Sequence, residues 1–323
     1  SYEAFETNNL VLIDEGHRGV AGEVWKYRRD YLSEDGFAFE YSATFGQSVA
    51  ASGGKKRKVL VNEYAKNIIF DYSYKHFYRD GYGKDYHILN LADDENKTFV
   101  KKYLTGALLS FYQQKLVFKE HKEFVNQFYL ANPLWIFVGG TVTKTLSKSD
   151  AADIPRILKY FQWFIQDEKE AKKFLTQLLT GKDGILDQQN RSIFRQFFDY
   201  IRNKNFSVNE LYRDILEQIF NTSFSGANLY VDNLNGIDGE LGIRVGESEY
   251  FGVINIGADR SLYKKCQEEG LPGLDKDFSE SLFHGIKDEN SNVNVLIGAK
   301  KFTEGWSSWR VSTMGLMNVG RSE

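Results

Sequence analysis

The chain alternates between short, continuous apolar runs and long stretches in which apolar residues recur every three or four positions. Runs at 10–13, 37–41 and 134–138 predict buried strands. The first two runs enclose a stretch of helical spacing at about 22–32. Strand–helix–strand order is typical of parallel sheets, so the pattern predicts an α/β protein.

Helical spacing dominates most of the remaining chain. It covers about 95–130 and, with few interruptions, 146–222. Asn132-Pro133 separates these stretches, and a residue before proline disfavours the helical conformation. We therefore predict a domain boundary here, with a first domain at 1–131 and a second at 132–323. The other predicted elements are short: strands at 250–256, 293–298 and 311–317, and helices at 189–203, 207–220 and 261–269.

Composition narrows the class of protein. The 323 residues are 42% hydrophobic, and no run of about 18 apolar residues occurs, so we expect no membrane span. Cys266 is the only cysteine, which excludes a disulfide within the chain and any multi-cysteine metal site and favours the cytoplasm. The net charge of −3 argues against a basic coat for nucleic acid but permits a local basic groove.

One basic cluster follows a run of small residues. Residues 48–58 predict a solvated loop that ends in Lys55, Lys56, Arg57 and Lys58. The alternative is that these four cations contact a nucleic-acid backbone.

Two further groups of side chains allow two interpretations each. The Tyr and Phe residues between 70 and 86 could stack on bases, but their helical spacing favours packing in a core. Asp232, Asp238 and Glu240 lie in a glycine-rich segment. Their spacing favours turn residues over a nuclease centre.

The most specific pattern is a pair of polar clusters that follow successive strands. Asp14-Glu15-Gly16-His17 ends the first strand, and Ser42-Ala43-Thr44 ends the second. One carboxylate can hold Mg²⁺ through water while its neighbour orients an attacking water. His17 can bridge to a hydroxyl of Ser42 or Thr44. An isolated Asp-Glu pair would more often be a solvated turn, but this order favours a site.

In this order the clusters resemble motifs of the superfamily-two helicases. Residues 14–17 are similar to the DEAH-type Walker B motif, and 42–44 to the third motif. The strand at 294–298 and the loop after it resemble the fifth motif. The resemblance is closest to the helicase (Res) subunit of type III restriction enzymes, through Phe302, Glu304, Gly305 and Trp306.

The resemblance implies a fold and an activity. The fold is two RecA-like parallel-sheet domains, the first incomplete, with a helical insertion at about 146–222 in the second. The activity is ATP-dependent movement on nucleic acid with ATP and Mg²⁺ as cofactors. Double-stranded DNA is favoured over RNA, and a methyltransferase or specificity subunit is a possible partner. The resemblance implies catalytic roles for three residues: Asp14 would hold Mg²⁺ through water, Glu15 would activate water, and His17 would assist them. Ser42 and Thr44 would couple hydrolysis to movement. The cleft for nucleotide and nucleic acid would be formed by Glu304, Gly305 and Trp306.

The chain departs from the family at both ends. A glycine-rich phosphate loop would stand upstream of Asp14, and Gln-x-x-Gly-Arg-x-x-Arg near the C-terminus, where Gly320-Arg321 matches only the Gly-Arg pair. We therefore expect part of a longer protein that does not hydrolyse ATP alone. The alternative is a non-hydrolysing fragment of a larger complex that binds nucleic acid or a partner. A different Mg²⁺-dependent hydrolase would leave 42–44 and 304–306 unexplained.

Overall fold

The computed structural model divides the chain into two compact units, residues 1–88 and 89–323, which are described separately. The residues it describes are 2–16, 23–43, 45–46, 49, 54–64, 67–83, 85–89, 96–139, 148–187, 189–277, 280–288, 290–298, 306 and 308–316; for Lys56, Glu63 and 148–152 only the backbone is described. Among these residues, no helix combines the length and apolar character needed to cross a membrane.

The first unit contains the predicted strand–helix–strand order. Strands β1 (Leu10–Ile13) and β2 (Phe37–Glu40) are parallel, with Leu10 opposite Phe37 and Ile13 opposite Glu40. Helix α1 (Glu23–Leu32) connects them. The two strands, the helix and their order are confirmed, and their consequence is that the chain leaves both strands at the same edge. The predicted burial of these strands is wrong, since Leu10, Leu12 and Phe37 are 65%, 62% and 59% exposed. A continuous apolar run favours a strand, but it does not show that another layer covers the sheet. The unit also contains a short 3₁₀ helix at Tyr2–Phe5 and the helices α2 (Gly54–Tyr64) and α3 (Tyr74–Arg79).

Helix α2 contains the basic cluster that was predicted to lie in a loop. That prediction is wrong for 54–58, because Lys and Arg are good helix formers and no proline interrupts them. The side chains of Lys55, Arg57 and Lys58 are exposed. They remain available for contact with an anionic partner.

The second unit is built on a seven-stranded mixed sheet in the order β7-β4-β5-β6-β8-β3-β9. Strand β5 is antiparallel to both of its neighbours, and every other pair is parallel. The predicted α/β class is therefore correct. The strands are β3 (Leu134–Val138), β4 (Leu229–Leu234), β5 (Glu240–Val245), β6 (Gly252–Asn255), β7 (Asp275–Lys276), β8 (Val295–Gly298) and β9 (Val311–Leu316).

Helices of the second unit share one hydrophobic core with the sheet. The Phe111 ring of α4 lies 5.8 Å from Trp135 of β3, and Trp135 lies 5.8 Å from Phe161 of α6. The predicted boundary at 131/132 falls inside this unit, between α5 and β3. The helices are α4 (Lys97–Glu120), α5 (Lys122–Asn126), α6 (Lys148–Gln166), α7 (Glu168–Leu179), α8 (Asp199–Asn203), α9 (Val208–Phe220) and α10 (Asp259–Glu268), and a 3₁₀ helix spans His284–Lys287.

One buried and one partly buried cation join the starts of three parallel strands. Arg310 precedes β9, and its guanidinium donates to the Asn132 carbonyl at 2.8 Å, the Val293 carbonyl at 2.7 Å and the Ile286 carbonyl. Lys115 donates from Nζ to the side-chain oxygen of Asn132 at 3.1 Å. The second acceptor of Lys115 is the side-chain oxygen of Asn294, at 2.6 Å. We call these four polar residues the strand-start network: Lys115, Asn132, Asn294 and Arg310.

Every acceptor in the strand-start network is neutral. Within the described part of the chain, no carboxylate lies within ion-pair distance of Lys115 or Arg310. Burial lowers the pKa of the Arg310 guanidinium to about 10, so this group stays charged at neutral pH. Burial, together with the positive charges of Arg310 and Lys119, lowers the pKa of Lys115 to about 7.

We expect Lys115 to make the stability of the protein depend on pH. An unfolded lysine stays protonated up to about pH 10.4, so between pH 7 and 10 the unfolded chain binds more protons than the folded one. The free energy of unfolding should therefore rise with pH, by at most about 1.4 kcal/mol per pH unit. Urea unfolding of the wild type and Lys115→Met at pH 7, 8 and 9 measures this. The difference between them should shift in favour of the wild type as pH rises.

The matched control is Lys97→Met, which removes an exposed lysine from the same helix. Its pH profile reports the general effect of losing one positive charge and is subtracted. A constant difference between wild type and Lys115→Met after this subtraction would show that Lys115 is protonated equally in both states.

Candidate functional site

The candidate site of the first unit lies where β1 and β2 end. The Tyr41 N–H donates to the Ile13 carbonyl at 2.8 Å, and the Gly16 N–H donates to the Tyr41 carbonyl at 3.0 Å. These two bonds extend the parallel pairing by one step beyond each strand. They bring Asp14 and Glu15 to the same edge as Ser42.

The backbone turns sharply at the two carboxylates. Glu15 has a φ of 52°, in the left-handed region, and the carboxylate of Asp14 accepts the Glu15 N–H at 2.9 Å. Both side chains are exposed. Two exposed carboxylates therefore occupy consecutive positions of one turn at the sheet edge.

Gly16, the residue after the two carboxylates, is buried and closely packed. A Cβ at this position would lie 2.9 Å from the Cβ of Glu40 and 3.0 Å from the ring of Phe45. A larger residue would displace the β2 side of the sheet edge. The glycine in the Asp-Glu-Gly-His pattern is therefore explained by close packing, which sequence spacing alone did not reveal.

A largely buried ion pair packs beside Gly16. Arg29 of α1 donates to Glu40 at 2.5 Å, and the two side chains are 13% and 12% exposed. Tyr64 of α2 donates its hydroxyl to the other oxygen of Glu40 at 3.2 Å. Three elements of the first unit thus meet beside Gly16. This cluster could not be predicted, because the spacing of Arg29, Glu40 and Tyr64 in the sequence does not indicate that they meet.

The structure brings together three of the five catalytic and coupling residues predicted for the first unit. Asp14, Glu15 and Ser42 lie at one edge, and Ser42 is partly buried. His17 and Thr44 lie outside the described residues. Their predicted roles in catalysis and coupling remain predictions.

The candidate residues of the second unit follow β8. The Trp306 ring is partly buried, lies 6.0 Å from the ring of Phe283 and has the ammonium group of Lys287 at 5.8 Å. It packs against a cluster of buried residues that includes Leu296 of β8. Glu304 and Gly305 lie outside the described residues. The described contacts of Trp306 are therefore packing contacts and a cation–π contact with Lys287.

The acids of the glycine-rich segment are not a catalytic cluster. Asp238 lies in an exposed turn, as predicted, but Asp232 and Glu240 are buried strand residues, so the prediction of turn residues is wrong for them. Glu240 accepts bonds from the Ser281 hydroxyl at 2.6 Å and the Phe283 N–H at 3.2 Å. In the described ranges, no three His, Cys, Asp or Glu side chains form a group that could hold a metal ion.

The aromatic residues between 70 and 86 do not form a core. Phe70 is 78% exposed, Tyr82 70% and Tyr86 68%, which overturns the prediction of core packing for them. The helical spacing of these rings predicts that they share one face, but it does not predict that another layer of the protein covers that face. The face is exposed in the first unit.

Comparison with protein families, curated proteins and solved structures gives no match to this chain. Its function must therefore be argued from its own residues.

Proposed function

We propose that this chain is the core of an ATP-dependent motor that moves on double-stranded DNA, of the kind found in the helicase subunit of type III restriction enzymes. In this proposal β1 and β2 belong to a first RecA-like domain. The seven-stranded sheet belongs to the second, and the helices within 146–222 are its insertion.

The observation that carries the proposal is the joining of two motifs at one sheet edge. Asp14 and Glu15 follow β1, Ser42 follows β2, and two backbone bonds hold the segments together. Ligands of parallel sheets bind outside the carboxyl ends of the strands, and both motifs lie there. A solvated acidic turn would not require a hydroxyl residue at the same edge or a glycine packed as closely as Gly16.

The residues of this edge fit a water-bridged Mg²⁺ ion. Asp14 is exposed and is oriented by the Glu15 N–H, and a lone carboxylate suits Mg²⁺, which keeps several waters and takes further ligands from phosphates. When bound, Mg²⁺ and ATP would supply the phosphoryl group and neutralise its charge. Asp14 would hold the ion through water. Glu15 would orient the attacking water and accept its proton.

The side chains around this pair would transmit the state of the site. Ser42 is joined to the carboxylate turn through Tyr41 and Gly16, so a displacement of one segment would move the other. We extend this coupling role to His17 and Thr44. In the second unit, Trp306 follows the parallel strand β8 in the chain, and we extend to it, with Glu304 and Gly305, the role of contacting nucleotide and nucleic acid. The exposed cations of α2 are candidates for phosphate contacts.

The test is ATP hydrolysis by Glu15→Gln in the protein at the length its gene encodes. We expect DNA-stimulated hydrolysis to fall at least about 100-fold while ATP binding persists, because glutamine keeps the shape of the side chain but cannot accept the proton. Steady-state phosphate release and equilibrium nucleotide binding measure the two quantities separately.

The matched control is Glu34→Gln, which changes an exposed carboxylate of the same unit away from the sheet edge. It should leave hydrolysis unchanged. If Glu15→Gln hydrolyses ATP at the rate of the wild type, Glu15 does not activate water and the proposal fails at its central residue.

A further inference from the structure

Seven exposed aromatic rings form a continuous surface between residues 70 and 86. Each ring centroid lies within 6.4 Å of at least one other, and the Phe70–Tyr72 pair is stacked at 6.0 Å with an interplanar angle of 23°. Every one of them is at least 39% exposed. We call this set the aromatic surface: Phe70, Tyr72, Tyr74, Phe77, Tyr78, Tyr82 and Tyr86.

Hydrogen bonds hold two of these rings without burying them. The Tyr72 hydroxyl donates to Asp80 at 2.9 Å, and the Tyr78 hydroxyl donates to Asp85 at 2.5 Å. Each bond fixes the polar tip of a ring, and the ring remains more than 40% exposed. The rings are thus oriented in advance, which lowers the entropy cost of binding a flat ligand.

Two cations run beside the rings on α3. Tyr74 and Tyr78 are four residues apart and share one helix face, while Lys75 and Arg79 share the adjacent face. Lys75 is exposed, and the Arg79 side chain is 71% exposed, with Asp80 at 3.6 Å. Asp71, Asp80 and Asp85 lie in the same segment, so net charge does not select the ligand. The rings, with these two exposed cations beside them, match a strand whose bases stack and whose phosphates follow alongside.

We propose that the aromatic surface binds the bases of an unpaired nucleic-acid strand, with Lys75 and Arg79 contacting its phosphates. This inference rests on the proposed function and names the form of nucleic acid that one surface takes. A duplex hides the faces of its bases, so flat exposed rings suit a single strand. The placement of the two cations beside the rings favours this ligand over the surface of a second protein.

Binding of a fluorescein-labelled dT20 strand to the full chain, followed by anisotropy without ATP, tests the inference. Tyr74→Leu/Tyr78→Leu keeps apolar area but removes two rings, and we expect about tenfold weaker binding or more with an unchanged salt dependence. Lys75→Gln/Arg79→Gln should weaken binding and reduce the slope of log affinity against log salt by about 1.4, since each phosphate contact on a single strand contributes about 0.7.

The matched control is Tyr27→Leu/Tyr129→Leu, which removes two exposed tyrosines outside the aromatic surface. It should bind dT20 like the wild type. As a second measurement, ultraviolet cross-linking to dT20 should attach thymine to peptides from 67–88.

Equal dT20 affinity of Tyr74→Leu/Tyr78→Leu and the wild type would overturn the inference. So would a loss of self-association in that variant with dT20 binding intact, because the surface would then be a protein contact. Because the dT20 assay contains no ATP, it is independent of the Glu15→Gln hydrolysis test, and either proposal can fail alone.

Discussion

Replacing Arg310 by methionine will lower the free energy of unfolding by about 3–5 kcal/mol. The guanidinium donates to three backbone carbonyls, and the side chain is 1% exposed. Methionine fills much of the space but leaves all three acceptors without their donor. An unsatisfied buried acceptor costs about 1–3 kcal/mol, which outweighs the gain from no longer burying a charge.

Urea unfolding of Arg310→Met, Arg310→Lys and Arg260→Met measures this effect. Lysine keeps the charge but lacks the planar fork, so it should recover only part of the loss. Arg260→Met changes an exposed arginine on α10 and should alter stability by less than about 0.5 kcal/mol. A loss below about 1 kcal/mol for Arg310→Met would mean that water replaces the guanidinium at these carbonyls.

The strand-start network shows why this part of the fold could not be predicted. Lys115 and Asn294 are 179 positions apart, Lys115 belongs to no motif, and the motif that begins at Asn294 does not indicate this contact. Hydrophobic patterning assigns residues to a face of a helix or strand, but it contains no information on which distant polar groups will meet. By contrast, the strands β1, β2 and β3 could be predicted because a continuous apolar run is a local property of the sequence, but only β3 is buried along its whole length.

Local side-chain bonds explain the clearest error in the helix prediction. A helix was expected at 189–203, but the structure has turns there and a helix only at Asp199–Asn203. The Asp183 carboxylate accepts the Ile185 N–H and the Ser192 hydroxyl, and Asp187 accepts two further backbone N–H groups. Such bonds compete with helical ones, and apolar spacing does not register them.

For the candidate site too, the part that depends on local sequence could be predicted, and the part that depends on contacts between distant residues could not. The order of the Asp14 and Ser42 motifs after successive strands predicts that they share an edge, since parallel strands end together. The support given by Arg29, Glu40 and Tyr64 depends on tertiary contacts and could not be predicted. The exposure of the aromatic surface was missed because periodicity does not reveal what lies opposite a face.

The second large effect is expected at a buried ion pair of the second unit, Asp232 of β4 with Arg244 of β5. Asp232 is fully buried and accepts the Arg244 Nε–H at 2.5 Å, the Tyr250 hydroxyl at 3.0 Å and the Leu274 N–H at 2.9 Å. Asp232→Asn removes the negative charge and directs an amide or carbonyl at these donors. Because it leaves the buried Arg244 charge with only the exposed Glu247, at 3.5 Å, as a counter-charge, we expect a loss of about 3–5 kcal/mol.

A double-mutant cycle in urea unfolding separates the charge from the packing. Asp232→Asn/Arg244→Met should lose less stability than the two single variants summed, because removing both charges avoids an unpaired buried ion. Asp238→Asn, an exposed carboxylate in the turn between the same strands, is the matched control and should change stability by less than about 0.5 kcal/mol. Strict additivity would show that the pair contributes no coupling. Asp232 would then stabilise the sheet only through its bonds to Tyr250 and Leu274, which the double variant also disturbs.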